Sequence, residues 1–145
     1  MYQLLFLCTG NYYRSRFAEL LFNALAPTHN LPWQAFSRGV ALEKGLANVG
    51  PMSPLALQTL QALGITSDGS VRYPMQAQEA DFQGAQIIIA LQEAEHRPYL
   101  SARYPAWVDS VEYWHVRDCV PTPAYDPLHE IRRQVEQLIA RLSTS

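Results

Sequence analysis

Two short apolar runs, Leu4-Leu5-Phe6-Leu7 and Ile87-Ile88-Ile89, constrain this chain more than any other feature. An apolar run of strand length with no alternation suits a strand covered on both faces, and three β-branched residues strengthen that reading for the second run. The spacing predicts strands over residues 4–8 and 86–91, with weaker ones over 33–37 and 111–116. Phe17, Leu20, Leu21, Ala24 and Leu25 recur at helical spacing after the first strand. Ser53-Pro54 is a cap and first-turn signal, with Leu57, Leu60 and Leu63 as its apolar face and Gly64 as its stop. A helical stretch is predicted over 92–104, and Ile131, Val135, Leu138, Ile139 and Leu142 form the stripe of a closing helix. Strands alternating with helices, with no repeat and no linker, imply a parallel sheet with helices on both faces.

With 145 residues the chain has room for one domain spanning 1–145. Hydrophobic residues make up 48% and charged residues 17%, which excludes disordered and low-complexity classes. A net charge of −2 argues against a nucleic-acid clamp or a basic membrane-surface binder. The first apolar run stops at Cys8-Thr9-Gly10, short of a signal peptide or membrane span, so a soluble cytoplasmic protein is expected. Cys8 and Cys119 are too few for a disulfide scaffold. His29, His96, His115 and His129 lack ligand spacing, and neither a metal nor a cofactor is expected.

Ligands of open α/β sheets sit beyond the carboxyl ends of the strands, and the first such turn reads Cys8-Thr9-Gly10-Asn11-Tyr12-Tyr13-Arg14-Ser15. A loop of this length can curl so that its N–H groups surround one tetrahedral anion, with a helix N-terminus behind it. Gly10 and Asn11 are the residue types that most readily take the positive φ such a curl needs. The N–H groups, the helix dipole and Arg14 would stabilise a Cys8 thiolate as a nucleophile, and Ser15 could donate a hydrogen bond to the sulfur. Arg14 would offer its fork to two oxygens of a phosphoryl group. The phosphate-binding candidates are thus Thr9, Gly10, Asn11, Tyr12, Tyr13, Arg14 and Ser15, and a phosphate or sulfate ion would fit the same loop.

This stretch resembles the signature of the low-molecular-weight protein tyrosine phosphatase family, Cys-x-Gly-Asn-x-x-Arg-Ser, at Cys8, Gly10, Asn11, Arg14 and Ser15. Ala18-Glu19, Gly64-Ile65, Ile87-Ile88-Ile89 and Asp126-Pro127 fall where that family has comparable features. The resemblance implies a flavodoxin-like three-layer α/β/α sandwich with a four-stranded parallel sheet. It also implies hydrolysis of phosphotyrosine through a cysteinyl-phosphate intermediate, on a phosphoprotein or a small aryl phosphate. By that resemblance Asp126 is the general acid, although Asp126 before Pro127 is equally a good N-cap for the last helix.

The chain departs from the family at several positions. Tyr13 stands where eukaryotic members often carry a second Cys, and Leu128-His129 replaces a tyrosine pair. No aromatic residue occurs from Val40 to Met52, where the family usually has a wall for the substrate. Arg72 falls where a His often supports the loop Asn, and is read as a solvated surface residue; Leu91-Gln92 replaces a Met-Asp pair. Tyr12, Tyr13 and Tyr125 are candidate walls of a phenol-sized cleft. Three competing readings remain. An arsenate reductase of the thioredoxin-coupled kind needs two further cysteines where only Cys119 is present. A weak phosphate-binding module would hold an anion without hydrolysing anything, and a phosphocarrier would have no use for a general acid.

Overall fold

The computed structural model describes residues 1–66 and 72–144. Its four strands are β1 (Tyr2–Cys8), β2 (Trp33–Gly39), β3 (Ile87–Ala90) and β4 (Glu112–Tyr113). They form one parallel sheet in the order β2-β1-β3-β4. In register, Tyr2 lies opposite Trp33 and Cys8 opposite Gly39, while Leu4 to Leu7 face Ile87 to Ala90 on the other side. Connections leave β1 in one direction and return past it to β3, so the crevice for a ligand lies beyond the ends of these strands.

The apolar runs are continuous because β1 is covered twice. Leu4 and Phe6 pack with Phe17 and Phe22 of α1 (Arg14–Leu25), Leu60 of α2 (Pro54–Ala62) and Ile131, Val135 and Leu138 of α5 (Pro127–Ser143). Leu5 and Leu7 point the other way, onto Phe82 of α3 (Glu79–Gly84) and Leu100 of α4 (Glu93–Arg103). All four β1 residues are fully buried, and each such side chain contributes about 1.5–3 kcal/mol. No helix among the described residues is long and apolar enough to cross a membrane.

Two elements differ from the sequence expectation. The helix α3 was not foreseen, because it is short and buries only Phe82; it starts on a capping box between Gln78 and Asp81. The fourth strand, expected over 111–116, pairs in parallel only at Glu112 and Tyr113. Beyond them the backbone still donates from Trp114 to Ala90 (2.9 Å) and from Val116 to Leu91 (2.8 Å), but an antiparallel bridge between Gln92 and His115 ends the parallel ladder. That turn brings the Val116 carbonyl over the end of β3.

The glycine ending β2 is required by a close approach. A Cβ on Gly39 would lie 2.8 Å from the Thr9 carbonyl and 3.2 Å from the Asn11 Cβ. The carbonyl belongs to a backbone that cannot retreat, since Ala41 N also donates to it (3.0 Å). Gly39→Ala is expected to lower stability by about 1–3 kcal/mol, read as a lower denaturant midpoint; a midpoint equal to that of the parent would show that the loop has room to give.

Candidate active site

Between β1 and α1 the chain curls from Cys8 to Arg14, and Asn11 supplies the left-handed turn at φ 52°. Gly10 does not share that conformation. A Cβ there would sit in ordinary contact with Asn48 Nδ2 at 3.5 Å and Gly45 Cα at 3.8 Å. Asn11 N donates to Cys8 Sγ at 3.3 Å, and Ser15 Oγ stands 2.8 Å from the same sulfur. Because Ser15 Oγ accepts from Asn11 Nδ2 (2.8 Å), its own proton is left for the sulfur. Cys8 therefore receives two donors, the environment a thiolate nucleophile requires.

Asn11 is held in turn by groups far along the chain. Its Nδ2 also donates to Ser37 Oγ (3.0 Å), and its Oδ1 accepts from Arg72 Nη1 (2.9 Å) and Met75 N (3.1 Å). Arg72 reaches Ser37 O (2.9 Å) and Glu19 Oε1 (3.3 Å) with its other nitrogen, and Ser37 Oγ donates to Glu19 (2.6 Å). The expectation that Arg72 is a solvated surface residue is thus overturned: it braces the loop asparagine, and burial lowers its pKa. Below it Arg16, 3% exposed, donates to the carbonyls of Pro51 (3.1 Å) and Arg72 (2.8 Å). Burial and the neighbouring Arg72 push the Arg16 guanidinium down to about 10.

Arg14, the loop's last residue, is 2% exposed. Its Nη1 donates to the Val116 carbonyl (2.9 Å), its Nη2 to Glu95 Oε2 (2.7 Å), and Asp118 Oδ2 stands 3.7 Å from Nη2. Cys8, Gly10, Tyr12, Tyr13, Arg14, Asn48 and Asp118 line a cleft of about 70 Å³. A larger groove of about 390 Å³ lies between α1, α2 and α5, lined by residues such as Leu21, Ile65 and Arg132, and holds no nucleophile. Among the described residues no three His, Cys, Asp or Glu side chains cluster as metal ligands would.

The loop residues named from sequence therefore come together, but the distant candidates divide. Tyr12 and Tyr13 line the cleft; Tyr12 donates to the Val49 carbonyl (2.6 Å) and Tyr13 to that of Cys119 (3.4 Å). Burial, then Asp126 and Cys119, push the Tyr13 hydroxyl up to about 12. Tyr125 is not part of the lining: its ring lies under Arg117 (4.1 Å) and its hydroxyl accepts from Arg117 N (3.2 Å). Asp126 is exposed and caps α5, its carboxylate accepting from Leu128 N at 3.0 Å. The carboxylate that lines the cleft is Asp118. Sequence held one signal for it, a carboxylate two residues past Val116, where the chain leaves the sheet. Glu95, Arg16 and Ser37 carried no such signal, because their roles depend on pairings across the fold.

The sequence model of the low molecular weight phosphotyrosine protein phosphatases matches residues 3–145. The chain belongs to this family and is a phosphatase of its fold. No curated protein matches the chain by sequence. Among solved structures, YfkJ from Bacillus subtilis is 27% identical with a TM-score of 0.76, over 99% of this chain and 96% of that one. The low molecular weight protein tyrosine phosphatase from T. tengcongensis is 26% identical with a TM-score of 0.65, over 99% and 96%. The YwlE arginine phosphatase from Geobacillus stearothermophilus, 23% identical with a TM-score of 0.64 over 99% and 92%, shares the fold.

The bracing of Asn11 leads to a direct expectation. Arg72→Ala should leave two buried polar atoms short of partners, lowering stability by about 1–3 kcal/mol, and should reduce phosphatase turnover by at least about tenfold. Parent-like turnover and unfolding midpoint would return Arg72 to the surface role.

Proposed function

We propose that this chain hydrolyses aryl phosphate monoesters of the phosphotyrosine kind in two steps. The observation that carries this reading is the meeting of Cys8, Arg14 and Asp118 in one cleft of about 70 Å³. Cys8 Sγ attacks phosphorus in line with the leaving oxygen while the N–H groups from Thr9 to Ser15 and the free edge of Arg14 hold the equatorial oxygens. Charge spreads onto those oxygens as the bond to the leaving group stretches, so donors already in place stabilise the transition state more than the substrate. Water then displaces the thiolate from phosphorus and releases inorganic phosphate.

We assign the acid role to Asp118, with Asp126 as the alternative. Asp118 lines the cleft and stands 3.7 Å from Arg14 Nη2; Asp126 caps α5 through Oδ1 alone, and its charge reaches the Tyr13 hydroxyl at the cleft. Asp118 would protonate the departing phenolate and afterwards take a proton from the attacking water. Tyr12 and Tyr13 support an aryl substrate, since they line the cleft where residues 40–52 offer no aromatic side chain.

Cys8→Ser should abolish hydrolysis of an aryl phosphate yet still bind inorganic phosphate, because the cradle is backbone and Arg14; retained turnover would remove Cys8 from the reaction. An anion-binding module would bind phosphate in both forms and hydrolyse nothing. For the acid, a leaving-group series decides. Asp118→Asn should slow esters of poorly leaving phenols by about 10²-fold or more while sparing activated ones. Asp126→Asn should leave all of them close to the parent rate, because an Asn Oδ1 still accepts from Leu128 N and caps the helix; the opposite pattern would restore Asp126 as the acid.

A further inference from the structure

Glu95, in the first turn of α4, carries a carboxylate that touches both ends of the phosphate loop. Its Oε2 accepts from Arg14 Nη2 at 2.7 Å and from the Thr9 hydroxyl. Thr9 directly follows the nucleophile and Arg14 closes the loop, so one oxygen ties the two ends together. Its third neighbour is His96, fully buried, whose Nε2 lies 3.2 Å from the same oxygen. The Gln92 N–H donates to His96 Nδ1 (3.0 Å), which leaves the imidazole proton on Nε2. That N–H has no aligned hydrogen-bond partner among the described residues and faces the Glu95 carboxylate. Burial lowers the His96 pKa and keeps the ring neutral. Burial would raise the Glu95 carboxyl, but His96 and Arg14 outweigh it and hold the group well below the usual carboxylate range.

The result is a half-buried carboxylate, held in its ionised form by Arg14, beside a site built for an anion. Such a charge repels phosphate, and its presence there calls for a compensating role. Arg14 supplies one. With Nη1 on the Val116 carbonyl and Nη2 on Glu95, the back of the fork is fixed, and no bond within the described residues uses Nε. The bonds at Nη1 and Nη2 fix the plane of the group and leave the Nε N–H for a ligand. Gln92, the side chain nearer the end of β3, is neutral and only 3.5 Å from Nη1, so it cannot replace the ion pair. Resting on the phosphatase reading above, we propose that Glu95 is a positioning residue for this reaction, aiming Arg14 at the transferring phosphoryl group and closing the loop through Thr9.

Charge and geometry predict opposite signs, which makes the idea testable apart from turnover. Inorganic phosphate is titrated calorimetrically into Cys8→Ser protein carrying Glu95, Glu95→Gln or Glu95→Ala, with thermal midpoints measured alongside. Positioning predicts affinity in the order Glu, Gln, Ala, because Gln keeps an acceptor oxygen, with the alanine form weakened about tenfold or more. Repulsion alone predicts that Gln and Ala bind equally and at least as tightly as Glu, and that result overturns the proposal. Should the alanine form fail to fold, the Gln and Glu comparison decides the sign. In the Cys8 background, Glu95→Ala should lower kcat for aryl phosphates without changing the leaving-group slope, and should cost little further once Arg14 is Lys. An equal loss in the Arg14→Lys background would also refute the role. If aryl phosphates prove not to be substrates but the phosphate order holds, the assigned reaction fails and the positioning of Arg14 stands.

Discussion

The site depends on the amide of Asn11. This side chain is fully buried in a left-handed residue, and both of its hydrogens and both of its acceptor positions are taken. Its partners come from α1, from β2 and from the segment after the second helix, so a single amide fixes the loop to three parts of the chain. Rotating it would break four hydrogen bonds at once, two of them buried, which makes the curl below Cys8 a single rigid state. The sulfur's donors follow from this, since the orientation of Ser15 is set by the bond it accepts from Asn11.

Around that amide the protein concentrates guanidinium groups that it could ill leave bare. Arg14 and Arg16 are 2% and 3% exposed, and burying such charges is tolerable only with partners on all sides. Arg16 relies on backbone carbonyls, Arg72 on Glu19 and Ser37, and Arg14 on Glu95 and Val116. The positive field behind the loop is therefore structural as well as catalytic. Glu19 and Glu95 neutralise it within the fold, and Asp118 does so from the cleft.

Much of this architecture was legible in the chain. Unbroken apolar runs identified β1 and β3, helical spacing identified α1 and α5, and the Cys8 to Ser15 spacing marked the loop, because each is a local pattern. What sequence hid was what depends on pairing across the fold. Arg72 looks like any charged loop residue until it meets Asn11, 61 positions away. Asp126-Pro127 carries both a motif and a capping signal, and the structure satisfies the second at Leu128, while Asp118, with no proline after it, reaches the cleft. The short fourth strand was overestimated because Trp114 and Val116 keep a strand-like apolar alternation while their backbone turns out of parallel register.

The two tyrosines of the loop bear on which molecules can enter. Tyr12 is hydrogen-bonded to Val49 on one rim and Tyr13 to Cys119 on the other, so floor and rims form one frame of fixed aperture. Spreading the rims apart would break one of these hydroxyl–carbonyl bonds, so the shape of the opening is tied to the backbone on both sides.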